Sequence, residues 1–243
     1  MRWIHTRWGT LTAIVLWTFL ATGCGFLFHN RWLLPVLQTL PIYVYMIHRI
    51  RQGAWRMAIL DMAAWAVALG VATTWAVYLV GLESGRWIIH GPAYREEMFQ
   101  WLRTGVGMES SPAQFLPRHL IEVTIFALLS VATASLVSMH GGAILMNYMS
   151  YYVGCLMVYS DHPLWTFLLG WKVYAVIRVC AYVILGVLLA EPLVYRILRR
   201  PYSLYPRRVW FGLAIVGLVL DVVLKTWLAP HYRVWILHHV HLP

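Results

Sequence analysis

Charge is scarce in this sequence: 12% of its 243 residues are Asp, Glu, Lys or Arg, and only nine are acidic. Soluble domains carry about twice that charged share, so a water-facing globular domain is excluded. Cysteine is scarcer still. Cys24, Cys155 and Cys180 lie in apolar stretches without CxxC spacing, which supports neither a disulfide framework nor a zinc site and marks them as small buried hydrophobes. No internal repeat or low-complexity tract is evident, and little chain is left over for a domain outside the membrane.

What the sequence has is apolar length. Hydrophobic residues make up 61% of it, enough for about seven spans of roughly 20 residues. Bounded by charge and proline, the runs predict spans at about 9–28, 33–48, 57–82, 119–139, 142–159, 164–190 and 209–228. Pro35 and Pro41 are expected to bend the second. His140-Gly141-Gly142 is expected to form the tight turn between the fourth and fifth. The run ending Leu20-Ala21-Thr22-Gly23-Cys24 loosely resembles a secretory or lipoprotein signal, but Gly25-Phe26-Leu27-Phe28 continues it where polar sequence should begin. We therefore read it as a retained first helix. In the polar segment 83–118, Tyr94, Met98, Trp101 and Leu102 form an apolar stripe closed by Gly105, the pattern of an interfacial amphipathic helix. The expected fold is all-α: one polytopic membrane domain over residues 1–243, with six to seven transmembrane helices and one interfacial helix.

The net charge of +10 sits in short loops between apolar runs, which points to topology and the lipid bilayer, not to nucleic acid. With seven alternating spans, Arg2 and Arg7, then Arg49, Arg51 and Arg56, then Arg196, Arg199, Arg200, Arg207 and Arg208 share one side. The positive-inside rule makes that side cytoplasmic, with the N-terminus there and the protein in the inner (cytoplasmic) membrane. Segment 83–118, where Arg86, Arg95, Arg103 and Arg118 are accompanied by Glu83, Glu96, Glu97 and Glu109, and the tail 229–243 then face outward. Trp3, Trp8, Trp32, Trp87, Trp101, Trp165, Trp210, Trp227 and Trp235 fall near predicted membrane boundaries, as an interfacial belt requires.

Six ionisable side chains lie inside predicted spans. Each needs a partner or a watery cavity, since a charge in hydrocarbon costs several kcal/mol. At about 1.5 Å per residue, Asp61 lies roughly 6 Å and Arg178 roughly 9 Å from the arginine-bearing face. Lys172 and Asp221 lie near 12 Å, and Glu122 and Lys225 near 5–6 Å, from the opposite face. Depth matching pairs Asp61 with Arg178, Lys172 with Asp221, and Glu122 with Lys225. Such pairs fix which helices pack together; a proton or ion path is the alternative. Asp221 and Lys225, at i and i+4, are also placed to pair within one helix.

Three further patterns carry candidate chemistry. Tyr94-Arg95-Glu96-Glu97-Met98-Phe99-Gln100-Trp101-Leu102-Arg103, with Leu136-Val137-Ser138-Met139-His140, resembles the glutamic-type intramembrane proteases related to CAAX prenyl proteases. That resemblance implies Glu96, Glu97 and His140 as the water-activating set of a hydrolase. The sequence departs from the pattern: Trp101 stands where the arginine belongs, Arg103 comes two positions late, and no later His-x-x-x-Asn follows. His140-Gly141-Gly142 is similar to the His-Gly-Gly of prolipoprotein diacylglyceryl transferases, whose Gly-Arg-x-Gly-Asn-Phe segment is absent. His29, His48, His119 and His140 bracket the second and fourth spans, so that His29 with His119 and His48 with His140 would share levels, as two bis-histidine b-type haems require. His238, His239 and His241 in the tail are candidate copper or zinc ligands if that segment is extended. Asn147-Tyr148-Met149-Ser150-Tyr151-Tyr152 suits either a surface for other membrane subunits or a bundle interior. The functional expectation in first place is a non-catalytic subunit or accessory factor of a larger membrane complex. A di-haem electron-transfer protein and an intramembrane hydrolase follow.

Overall fold

Where no water is present to satisfy the backbone, every amide must find its partner within the segment, and a helix does this. The computed structural model describes residues 7–107 and 109–243; Arg2 and Trp3 of the expected arginine side and tryptophan belt lie outside them. Among the described residues nine α-helices follow in order: α1 (Arg7–Leu27), α2 (Leu33–Arg51), α3 (Trp55–Val80), α4 (Gly91–Thr104), α5 (Pro112–Thr133), α6 (Leu136–Val158), α7 (Pro163–Gly170), α8 (Val173–Ile197) and α9 (Arg208–His239). Five of them are long and apolar enough to cross a membrane: α1, α3, α5, α8 and α9. At 19 and 23 residues, α2 and α6 are long as well. Their polar residues face inward: Gln38, Thr39, Asn147 and Ser150 are all buried. The surface is the inverse of a soluble protein's, with Leu16, Val67, Leu128 and Trp227 between 65% and 74% exposed. An all-α helical membrane protein presents such a surface to lipid.

The polar residues of α2 and α6 meet in the middle of the bundle. Gln38 donates to Thr22 (3.0 Å), Asn147 donates to Gln38 (2.7 Å), and Thr73 donates to Asn147 (2.9 Å). This chain of hydrogen bonds ties α1, α2, α3 and α6 together inside the bundle, where an unpaired amide is costly. The helices approach closely where small residues allow it: a Cβ on Gly154 would lie 2.6 Å from Val77. The tyrosine-rich run 147–152 is therefore bundle interior, with Tyr151 donating to the Leu82 carbonyl (3.0 Å).

The bundle has two distinct ends. At one, the Arg200 guanidinium donates to the Arg51 carbonyl (2.8 Å), so the loops around these residues are on the same side. Also at this end, buried Glu191 of α8 takes a two-pronged bond from Arg207 at the foot of α9 (2.7 and 2.8 Å), locking the last two helices. At the other end, α4 lies over α6. Met98, Phe99, Trp101 and Leu102 are buried, and Gly105 ends the helix in the left-handed region (φ 74°). The amphipathic helix exists as expected, but its stripe packs on Tyr148 and Tyr152 of the bundle, so Trp101 is core and not belt. Trp8, Trp32, Trp165 and Trp227 are exposed at 61–77%.

Several expected boundaries move. The turn between α5 and α6 is at Ala134 and Ser135, both in the left-handed region (φ 47° and 67°), while His140, Gly141 and Gly142 lie inside α6. Ser135 stabilises this unusual turn by donating its hydroxyl to the Gly186 carbonyl (2.6 Å). The expected sixth span is broken: extended backbone at Trp171 and Lys172 separates α7 from α8. The expected tail is helical, since α9 runs through Pro230 to His239. Of the cysteines only Cys155 is buried; Cys180 is exposed.

Candidate functional site

Three elements bring four of the six intramembrane charges, Lys172, Arg178, Asp221 and Lys225, together beneath α4. On α9, Asp221 and Lys225 are one turn apart and buried, while Leu220, Val223 and Trp227 face outward. On α8, Arg178 points at the same place, and Lys172 stands at the break before the helix. The third element is the loop between α4 and α5, which carries Glu109. Gly105 and Gly107 hold positive φ there (74° and 154°), which is strained for other residues, and the loop turns back into the bundle.

Glu109 is the centre of this cluster. Its carboxylate accepts from Lys225 (2.9 Å), Lys172 (3.2 Å) and the Tyr174 hydroxyl (2.9 Å). Burial pushes its pKa up, but the two ammonium groups outweigh that and hold it well below the usual carboxylate range. Lys172 also lies over the Trp101 ring (4.9 Å) and Lys225 over Phe115 (4.3 Å), a cation–π setting suited to ammonium groups away from water. Deeper in, Arg178 Nε and His119 Nδ1 each stand 3.8 Å from Asp221 Oδ2. That separation is too long for a hydrogen bond.

The depth pairings are therefore replaced. Asp61 pairs with Arg49 (3.1 Å) and accepts from Tyr45 (3.2 Å), not with Arg178. Arg49 reaches it from the adjoining helix, a shorter route than across the bundle. Arg178 faces Asp221, Lys172 and Lys225 share Glu109, and Glu122 bonds Arg118 on its own helix (3.0 Å). Equal depth leaves the angular position of each helix open, and a carboxylate on a re-entering loop took both lysines.

A cavity of about 180 Å³ adjoins the cluster. Tyr94, Glu97, Glu109, His119, Arg178 and Asp221 line one end; Met62, Trp65, Met146, Val183 and Val187 line the other. Along α6 the lining runs from Ser138 to Met149, roughly 16 Å at 1.5 Å per residue, about half the hydrocarbon thickness. The loosest wall is α5: 17% of its apolar window is buried inside the protein, against 50% for α3.

Other candidate residues lie apart. Glu96 is exposed between Arg95 and Arg103 (3.6 and 3.8 Å), Glu97 faces Arg118 (3.8 Å), and His140 of α6 contacts Thr39 of α2 (3.3 Å). Of these only Glu97 lines the cavity. His29 lies tilted against the Trp87 ring (4.2 Å), His48 bonds Gln52 (2.9 Å), and His119 faces Asp221. Among the described residues none of the four haem-candidate histidines bonds or stacks with another. His239 stacks on Trp235, His241 bonds Asp161 (2.8 Å), and His238 is exposed. No group of three or more metal-ligating side chains occurs among the described residues. Sequence reasoning missed Glu109 and Glu191; the paired glycines before Glu109 were the available signal for a re-entering loop.

No protein-family model, curated protein or solved structure matches the chain.

Proposed function

We propose that this membrane protein binds an amphiphilic molecule taken from the bilayer, its polar end at the Asp221–Arg178–His119 cluster and its apolar end among Met62, Met146 and Val183. One observation carries the reading: buried polar groups with unused hydrogen-bonding capacity stand at one end of a cavity whose other end is apolar. A purely structural cluster would be satisfied internally, and a soluble ligand would have no use for the apolar half. The weakly held α5 is the wall past which such a molecule enters. A lipid probe with a diazirine in its tail tests this. Photolysis in native membranes should label Met146 and Val183, whereas labelling confined to lipid-facing Leu128 and Val216 would defeat the reading.

The arginine end is read as cytoplasmic by the positive-inside rule, in the inner membrane, with α4 extracytoplasmic; the shared side of Arg51 and Arg200 supports it. Reporter tags in these two loops should both report the cytoplasm. A non-catalytic subunit of a larger complex is the second reading, supported by the short loops. Its candidate surface, residues 147–152, lies in the bundle interior, so it needs a partner that co-purifies after gentle detergent extraction.

A further inference from the structure

Three side chains at the polar end of the cavity have hydrogen-bonding capacity that the protein leaves unused. Asp221 is 1% exposed and its Oδ1 has no partner; His119 is 6% exposed and its Nδ1 has none. Arg178 enters no hydrogen bond among the described residues, its nearest anion being Asp221 at 3.8 Å. All three line the cavity. A buried donor or acceptor left unmade costs about 1–3 kcal/mol, so Asp221 Oδ1 and His119 Nδ1 are held at a cost that a ligand relieves. The unused groups are of two kinds. Arg178 offers a planar fork of donors, the geometry that takes phosphate or carboxylate, and Lys225, with one of its protons on Glu109, stands beside it. Asp221 is an acceptor only, and His119 in one tautomer is another.

We infer that the cavity's polar end recognises an anionic headgroup that also carries a hydroxyl: the anion on Arg178 and Lys225, the hydroxyl donating to Asp221 or His119. This rests on the amphiphile reading and narrows it to a ligand class, the hydroxylated phosphodiester lipids.

Three lipids that share acyl chains separate the two demands. Phosphatidylglycerol has anion and hydroxyl, phosphatidylmethanol has the anion alone, and diacylglycerol the hydroxyl alone. Retention by the purified full chain, read by native mass spectrometry, should favour phosphatidylglycerol at least tenfold over each of the others. His119→Phe removes an acceptor without stranding a charge, so it keeps the fold; it should bring the phosphatidylglycerol to phosphatidylmethanol ratio down at least threefold. Should that variant fail to fold, His119→Gln, which keeps an acceptor, should preserve the ratio. Equal retention of phosphatidylglycerol and phosphatidylmethanol, or of all three, would overturn the inference while leaving amphiphile binding intact. Retention of none would overturn both. Free glycerol 3-phosphate that displaces phosphatidylglycerol at equal concentration would uphold the headgroup chemistry and move its source from lipid to solute.

Discussion

Removing the Arg178 guanidinium isolates the energetics of the buried cluster. Arg178→Met leaves Asp221, 1% exposed, without its nearest cation at 3.8 Å. At that separation two unit charges attract by about 4 kcal/mol at an effective dielectric of about 20. Breaking a buried pair from one side costs about 3–5 kcal/mol, because the abandoned charge stays buried. Lys225, one turn along α9, offsets part of this loss, which favours the lower figure. Asp221→Asn added to Arg178→Met removes the stranded charge and should recover more than half of the loss. The assay is thermal unfolding in detergent followed by tryptophan fluorescence. At about 2–4 °C per kcal/mol for a chain of this size, the single variant should melt roughly 6–12 °C below wild type. Asp61→Asn combined with Arg178→Met should be additive, since Asp61 is held by Arg49 and Tyr45 and shares no partner with Arg178. Recovery by Asp61→Asn, with none from Asp221→Asn, would refute the cluster as described.

Glu109→Gln should destabilise more than any other neutral substitution in the cluster, since Lys172 and Lys225 both lose their anion; co-substitution of Lys172→Met should restore part of it. The sign of its pH dependence follows from its depressed pKa: Glu109 contributes stability above the ordinary glutamate value of about 4.3, and that contribution is lost as pH falls below it. Melting of wild type should therefore decline steeply in acid, and Glu109→Gln should flatten the decline. Glu191→Gln, which weakens the two-pronged bond to Arg207, should loosen the α8–α9 end and speed proteolysis in the loop around Tyr202, with cavity labelling unchanged.

The parts of the fold legible in the sequence are those that the bilayer itself dictates. Apolar runs become helices because nothing else closes their hydrogen bonds in lipid, and the Tyr94–Leu102 stripe becomes α4 because its apolar residues share one face. Arg51 and Arg200 share an end because alternating spans require it. The illegible parts depend on exceptions to local rules. Ala134 and Ser135 take a left-handed turn with no glycine present, rescued by a hydroxyl 51 positions from its acceptor, Gly186. Trp171 and Lys172 break a run that reads as continuous, and Pro230 fails to end α9. The charge cluster was half legible. Lys172, Arg178, Asp221 and Lys225 stood out as costly in hydrocarbon and do gather in one place. Glu109 did not, because a carboxylate in a polar loop looks solvated until the loop is seen to fold inward.

Gly142 is the position from which occupancy of the cavity by an amphiphile can be blocked. It lines the apolar half, and a Cβ there meets nothing within 4 Å, so Gly142→Phe fills the space without displacing backbone. Photolabelling of Met146 and Val183 by a tail-diazirine lipid should fall at least tenfold in Gly142→Phe, while the melting temperature is unchanged or higher. Undiminished labelling of those two residues in a folded Gly142→Phe protein would contradict that occupancy.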